Sequence, residues 1–450
     1  MKRIYLIISL LLVLSFQTIS AQEKKWTLED CINYAVANNI NLQRQILQTQ
    51  SAKVNLLKSK MDVLPSLNFG SQADLGFGRG VNPVDYSITF NQTFSNDFYM
   101  STSLNIFKGL ITINTIAADK FMLNAGLEYE KIIRNRLIID ILGQYYQVLY
   151  SKGLENASKM QLDLSDKQLF RIRKMVETGK EALSRQYEME SRVSADKLAY
   201  TIAQNTSSQA LTTLKQILQL QPGSDFDILM PDLDNILITD FNYKTDSIYA
   251  ISSQILPRLK EINYELEAAK KQLAASKGYV SPVLRAGASI STGYFNVLSE
   301  TDAKQDPYTT QLKNNNNQTI SLSLNIPLFN NYTTGRNIKI AKIKRDDTAL
   351  RLELEKNNLY TEIENACLNF NRGKGEFAAA VANFEYNKKS FSAVEKKFES
   401  GLVDVTDYSA AKTTLFSAET EALRTKLQLI IRKLAIQLYS TGEYENLIMN

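Results

Sequence analysis

The chain has 450 residues, 44% of them hydrophobic and 22% charged, with 52 Lys+Arg against 47 Asp+Glu, 8 Pro, 18 Gly, 2 Cys and no His. That length holds two or three ordinary domains or one large repeated one, and the composition is that of an ordered chain. The missing His excludes a Ser-His-Asp triad, an HExxH zinc site and a His general base, so an enzyme would have to work through carboxylates, Lys or Tyr.

Residues 1–21 read as an export signal: Lys2 and Arg3, an apolar run from Ile4 to Phe16, then Thr18-Ile19-Ser20-Ala21. The run has 13 residues, too few to span a bilayer, so cleavage near Ala21 is expected. Loss of Lys2 and Arg3 lowers the formal charge from +5 to +3, which points to no nucleic-acid partner. Cys31 and Cys367 are far apart and read as two buried thiols rather than a disulfide framework. Beyond the signal no apolar stretch reaches the ~20 residues of a membrane helix, so the mature chain is soluble or crosses a membrane as strands.

Two repeats follow, at 22–222 and 246–442, joined by a linker at 223–245 and ended by a tail at 443–450. The stretches 84–221 and 328–450 lack proline and can hold very long helices. Each repeat is expected to open with a helix, pass through two strands, and close with a long helical hairpin, at 110–220 in the first and 335–440 in the second. The strands are placed at about 64–76 and 98–107, then 283–294 and 318–327. In all four, apolar residues such as Leu67, Met100, Leu284 and Ile320 alternate with small polar ones. That is the pattern of a membrane β-barrel strand, with Met100, Leu104, Ile106, Ile320, Leu322 and Leu324 facing lipid. Gly76 to Asp97 and Phe295 to Gln318 read as long polar loops on the side of the cell exterior.

Heptads mark both helical stretches. Phe377, Phe384, Phe391 and Phe398 recur every seven residues in one; Ile141, Val148, Leu162, Leu169 and Val176 keep the step in the other, with Glu155 the one break. Each run ends alike, in Val176-Glu177-Thr178-Gly179 and Phe398-Glu399-Ser400-Gly401, with the glycines 222 residues apart. Gly179 and Gly401 are therefore read as left-handed helix stops inside tight helix-turn-helix tips. Ser103 to Ile106 matches Ser323 to Ile326 at an offset of 220, and Pro65 matches Pro282 at 217, which indicates internal duplication. Four strands cannot close a useful barrel, and an open edge in hydrocarbon is costly, so the chain must oligomerise.

The chain resembles the TolC family of outer-membrane efflux and secretion ducts along its mature length. The resemblance rests on Trp26 to Ala35, on the duplicated strand pairs, and above all on Gly401-Leu402-Val403-Asp404-Val405-Thr406-Asp407. It implies a mixed α and β fold in which each copy of a homotrimer adds four transmembrane strands to a twelve-stranded barrel, continued through the periplasm by a coiled-coil helical barrel. It implies an outer-membrane location, a periplasmic adaptor and an inner-membrane transporter as partners, no enzymatic activity and no cofactor. Family members usually carry an acidic residue six positions after the tip glycine. Here the second repeat has Asp407 and the first has Arg185, flanked by Thr406 and Ser184, so the two charges either tie neighbouring tips shut or are both solvated tip residues. Leu183, Leu402, Val403 and Val405 beside the tip turns are candidate adaptor contacts, or else close each hairpin on itself. An exported coiled-coil scaffold without transport activity explains the heptads but not the two-faced strands.

Overall fold

The computed structural model describes residues 25–81, 88–231, 244–298 and 306–442. The expected export signal, the tail at 443–450, residues 232–243 of the linker and the centres of the two polar loops lie outside the described residues.

In chain order the elements are α1 (Leu28–Asn38), α2 (Ile40–Met61), β1 (Ser66–Val81), β2 (Ile88–Lys108), α3 (Ile111–Glu177), α4 (Leu183–Leu218), α5 (Thr245–Ile255), α6 (Pro257–Gly278), β3 (Val283–Val297), α7 (Tyr308–Asn314), β4 (Asn317–Asn325), α8 (Thr333–Glu399) and α9 (Val405–Thr441). Both α3 and α8 contain 67 residues, about 100 Å of helix each at 1.5 Å per residue. The chain divides into two compact units. Among the described residues, one comprises 25–45, 131–231, 244–256 and 357–442, the other 46–81, 88–130, 257–298 and 306–356.

The first unit is helical. α1 starts on a capping box: Thr27 Oγ1 accepts from Asp30 N at 3.1 Å while Asp30 Oδ2 accepts from Thr27 N at 3.1 Å. Its core sets Cys31 of α1, Ile138, Ile141, Tyr145 and Val148 of α3, Leu214 and Leu218 of α4, and Leu427 and Ile430 of α9 around Phe226 and Ile228. Trp26 bridges Ile228, so the described part of the expected linker is docked in this core. Both cysteines are buried free thiols, and burial pushes the Cys31 thiol up to about 12.

The second unit holds one antiparallel sheet in the order β1-β2-β3-β4. Two loop assignments are corrected here. Gly76 to Asp97 is largely strand, because β1 runs on to Val81 and β2 begins at Ile88, with Gly76 opposite Thr93 and Val81 opposite Ile88. Phe295 to Gln318 contains the end of β3, the helix α7 and the start of β4. Cross-strand pairing, which a polar and Gly-rich composition does not announce, extends both strands.

Candidate functional site

Register gives the sheet two faces. Phe69, Met100, Ile290 and Gln318 form one row across the four strands, and Leu67, Thr102, Ala288 and Ile320 the next; Leu104, Ala286 and Leu322 follow on the same face. The intervening rows are Asn68, Ser101, Ser289 and Thr319, then Ser66, Ser103, Gly287 and Ser321. Over these rows one face is mainly apolar, with Thr102 and Gln318 as the exceptions, and the other is small and polar, because the side-chain period of two is kept in step by the pairing. The outward residues are widely exposed: Ile320 is 90% accessible, Leu322 68% and Leu324 62%. Ile106 is an extra residue, since the register passes from Asn105 opposite Arg285 to Phe107 opposite Leu284, and this bulge brings Phe107 into the row with Leu284 and Leu324.

Beyond the end of β4 the edge of β3 is closed by side chains. Gln311 of α7 accepts from Phe295 N and donates to Phe295 O, both at 3.1 Å, and Asn315 Nδ2 donates to Gly293 O at 2.7 Å. Two side-chain amides thereby do what a neighbouring strand would do for buried backbone groups. Tyr308 holds the helix against the sheet through Asn96 Oδ1 at 2.5 Å and through the Tyr294 ring, 4.8 Å between centroids.

The tips lie in the helical unit. Gly179 (φ 72°) and Gly401 (φ 73°) both adopt the left-handed conformation. Gly179 N donates to Val176 O and Lys180 N to Met175 O, at 2.9 and 2.8 Å. Gly401 N and Leu402 N repeat this on Phe398 O and Lys397 O, so the two turns are the same Schellman stop. Asp404 Oδ1 then caps α9 by accepting from Asp407 N at 2.8 Å. Leu169, Ile172, Met189, Phe391, Phe398, Val405 and Tyr408 pack into one cluster joining the two hairpins, with Phe398 stacked on Tyr408 at 4.5 Å.

The proposed tip contacts separate on this geometry. Leu183 and Leu402 are 51% and 75% exposed, whereas Val405 is 3% exposed and Val403 packs on the cluster. Val405 is therefore corrected from a partner contact to a hairpin core residue, since its side chain is spent inside. Ser184, Thr406 and Asp407 are exposed, and Arg185 is paired within its own hairpin to Glu181 at 3.1 Å.

A buried polar cluster just above the tips is absent from the candidates named on sequence. Lys412 Nζ binds Asp196 Oδ2 and Ser165 Oγ, and Gln161 Nε2 donates to Asp196 Oδ1 at 2.9 Å. Burial pulls the Lys412 ammonium below the usual lysine value while Asp196 works against that shift. A signal existed: Lys412 continues the Val405, Tyr408 spacing and Asp196 lies on the seven-residue step Met189, Asp196, Ala203, Ala210, so both charges occupy core positions.

Comparison with known proteins adds three findings. Residues 254–441 match the family described as outer membrane efflux protein. The fold matches the Campylobacter jejuni CmeC outer membrane channel (TM-score 0.76, 14% identity, 94% of this chain and 88% of that one). It also matches the Vibrio cholerae outer membrane protein VceC (0.75, 11%, 93% and 96%) and the open state of the Neisseria gonorrhoeae MtrE outer membrane channel (0.73, 15%, 93% and 89%). No curated protein matches the chain. The two-faced sheet, the twin hairpins and the matched structures define a TolC-like fold, which this chain shares with these outer-membrane channels.

Proposed function

We propose that this outer-membrane efflux channel is the exit duct of a tripartite efflux or type I secretion system. Three copies close their sheets into one barrel, the helices continue the passage in the periplasm, and an adaptor and an inner-membrane transporter dock at the tips. The observation that carries this reading is the register: one mainly apolar face and one mainly small, polar face on a sheet whose β1 and β4 edges have no strand partner among the described residues. Such edges are tolerated in a bilayer only where another copy pairs with them. A coiled-coil scaffold has no use for a lipid-facing surface of this extent. At the tips, Leu183 and Leu402 are the adaptor contacts, and Arg185 and Asp407 of neighbouring hairpins form the resting-state tie. Detergent extraction from outer membranes should yield a trimeric mass, and planar-bilayer reconstitution should give discrete conductance steps. A chain released without detergent, or a monomer without conductance, would overturn the reading.

A further inference from the structure

The end of the sheet nearest α8 carries an arrangement that the duct reading leaves unused. Lys108, Val283 and Asn325 mark that end by register, and the chain leaves β4 through Leu328 and Phe329, which are 92% and 84% exposed. Tyr332 follows at 64% exposure, with φ 63° immediately after Asn331 at φ 52°. A bulky residue in the left-handed region is costly, and such strain persists where the surroundings or a function require it. The first repeat makes the same two-residue left-handed turn 222 positions earlier, at Gly109 and Leu110 (φ 56° and 58°), and again presents a large exposed apolar side chain, Leu110 at 58%. Gly335 accommodates the Tyr332 ring, since a Cβ there would lie 2.7 Å from it.

Directly beyond the turn, residues 333–345 contain Arg336, Lys339, Lys342, Lys344 and Arg345 and no Asp or Glu. Lys344 and Arg345 pair with Asp347 and Asp346. Arg336, Lys339 and Lys342 are exposed, spaced by three along one side of the first turns, and form no carboxylate pair among the described residues. Exposed apolar side chains stepping directly into unpaired cations match the boundary between hydrocarbon and phosphate.

We propose that Leu328, Phe329 and Tyr332 with Arg336, Lys339 and Lys342 form a binding surface for anionic phospholipid, with the apolar side chains among the acyl chains and the cations on the headgroup phosphates. The inference rests on the outer-membrane reading and deepens it by naming the lipid class and the residues that select it. Charge complementarity argues for this occupant over a second copy of the chain, whose helices would have to bring carboxylates to three cations.

The test uses the full chain in nanodiscs of equal parts phosphatidylglycerol and phosphatidylcholine, with lipids retained on transfer to detergent counted by native mass spectrometry. The wild type should retain phosphatidylglycerol about tenfold over phosphatidylcholine, less at high salt, and R336Q/K339Q/K342Q should fall to near parity. The control K388Q/K389Q/K396Q, elsewhere on α8, should keep the preference. Phe329→Trp should be quenched by brominated phosphatidylglycerol; a residue covered by a second copy would not be, and that result overturns the proposal. Parity in the wild type, or an unchanged preference in the triple variant, overturns it as well. A chain that enters nanodiscs without preference removes this inference alone, whereas one that does not enter removes the membrane reading with it.

Discussion

Lys412 Nζ lies 2.5 Å from Asp196 Oδ2, with side-chain exposures of 3% and 5%, so a full ion pair is closed off inside the joined hairpins. The Ser165 hydroxyl donates to the same carboxylate oxygen at 2.5 Å, and the ammonium reaches the Gln161 carbonyl at 3.5 Å, which ties α3, α4 and α9 together at one level. Removing one partner strands the other: Lys412→Met should cost about 3–5 kcal/mol. Lys412→Met with Asp196→Leu should recover most of it, because an apolar pair of similar volume leaves no buried charge. Urea unfolding followed by circular dichroism checks both; equal destabilisation in single and double variants would show that packing, not charge, sets the cost.

Glu261 of α6 gives the second unit a pH response. Burial first, and then the charge of Glu265, push its carboxyl up to about 7, with Arg351 pulling the other way. A carboxyl whose folded value is raised favours the native state while protonated, and that advantage is lost as pH rises from its unfolded value of about 4.5 through 7. The melting temperature should therefore climb on acidification from pH 8 to pH 5, and Glu261→Gln, uncharged throughout, should flatten that part of the profile. An identical slope in the variant would assign it to other groups.

Gln311 stands in for a strand. Gln311→Ala leaves Phe295 N and O without their amide partner, and Gln311→Ala/Asn315→Ala frees Gly293 O as well. The amide of Phe295 should then exchange with deuterium at least tenfold faster, the equivalent of ~1.4 kcal/mol of local opening, while amides of β1 paired to β2 stay protected. Unchanged exchange at Phe295 would mean that Tyr308 and Thr292 suffice to hold α7.

At the tips, Arg185 has a local alternative in Glu181, so the proposed tie to Asp407 competes with a part-buried i,i+4 pair worth a fraction of a kcal/mol. Arg185→Glu or Asp407→Arg should raise single-channel conductance, and the double reversal should bring it back down. Two single variants with wild-type conductance would leave both as solvated tip residues.

If Leu402 is the adaptor contact proposed above, Leu402→Ser should abolish capture of that adaptor while leaving the melting temperature within about a degree, because its side chain lies outside the hairpin core. Val405→Ser should do the reverse and cost about 1–3 kcal/mol, having buried a hydroxyl among Phe398 and Tyr408.

Much of this organisation is written in periodicity. Seven-residue steps, alternation of apolar and polar residues, and glycines 222 apart specify long hairpins, two-faced strands and a duplication, because each is a local property of the chain. Other features need residues that meet only on folding. α1 and α2 have 11 and 22 residues, as do α5 and α6 at an offset of 217, yet different chemistry breaks the two pairs. Asn39 Oδ1 caps Asn41 N and Leu42 N in one, while Pro257 opens the helix in the other, so no shared motif betrays the match. The outer halves of β1 and β2 are strands because they pair with each other, and α7 is placed by amides reaching a strand behind it in the chain. Lys412 finds Asp196 across 216 positions. Local sequence sets which conformations are cheap, but partners for buried charges and strand edges are assigned by packing, which brings distant residues within bonding distance.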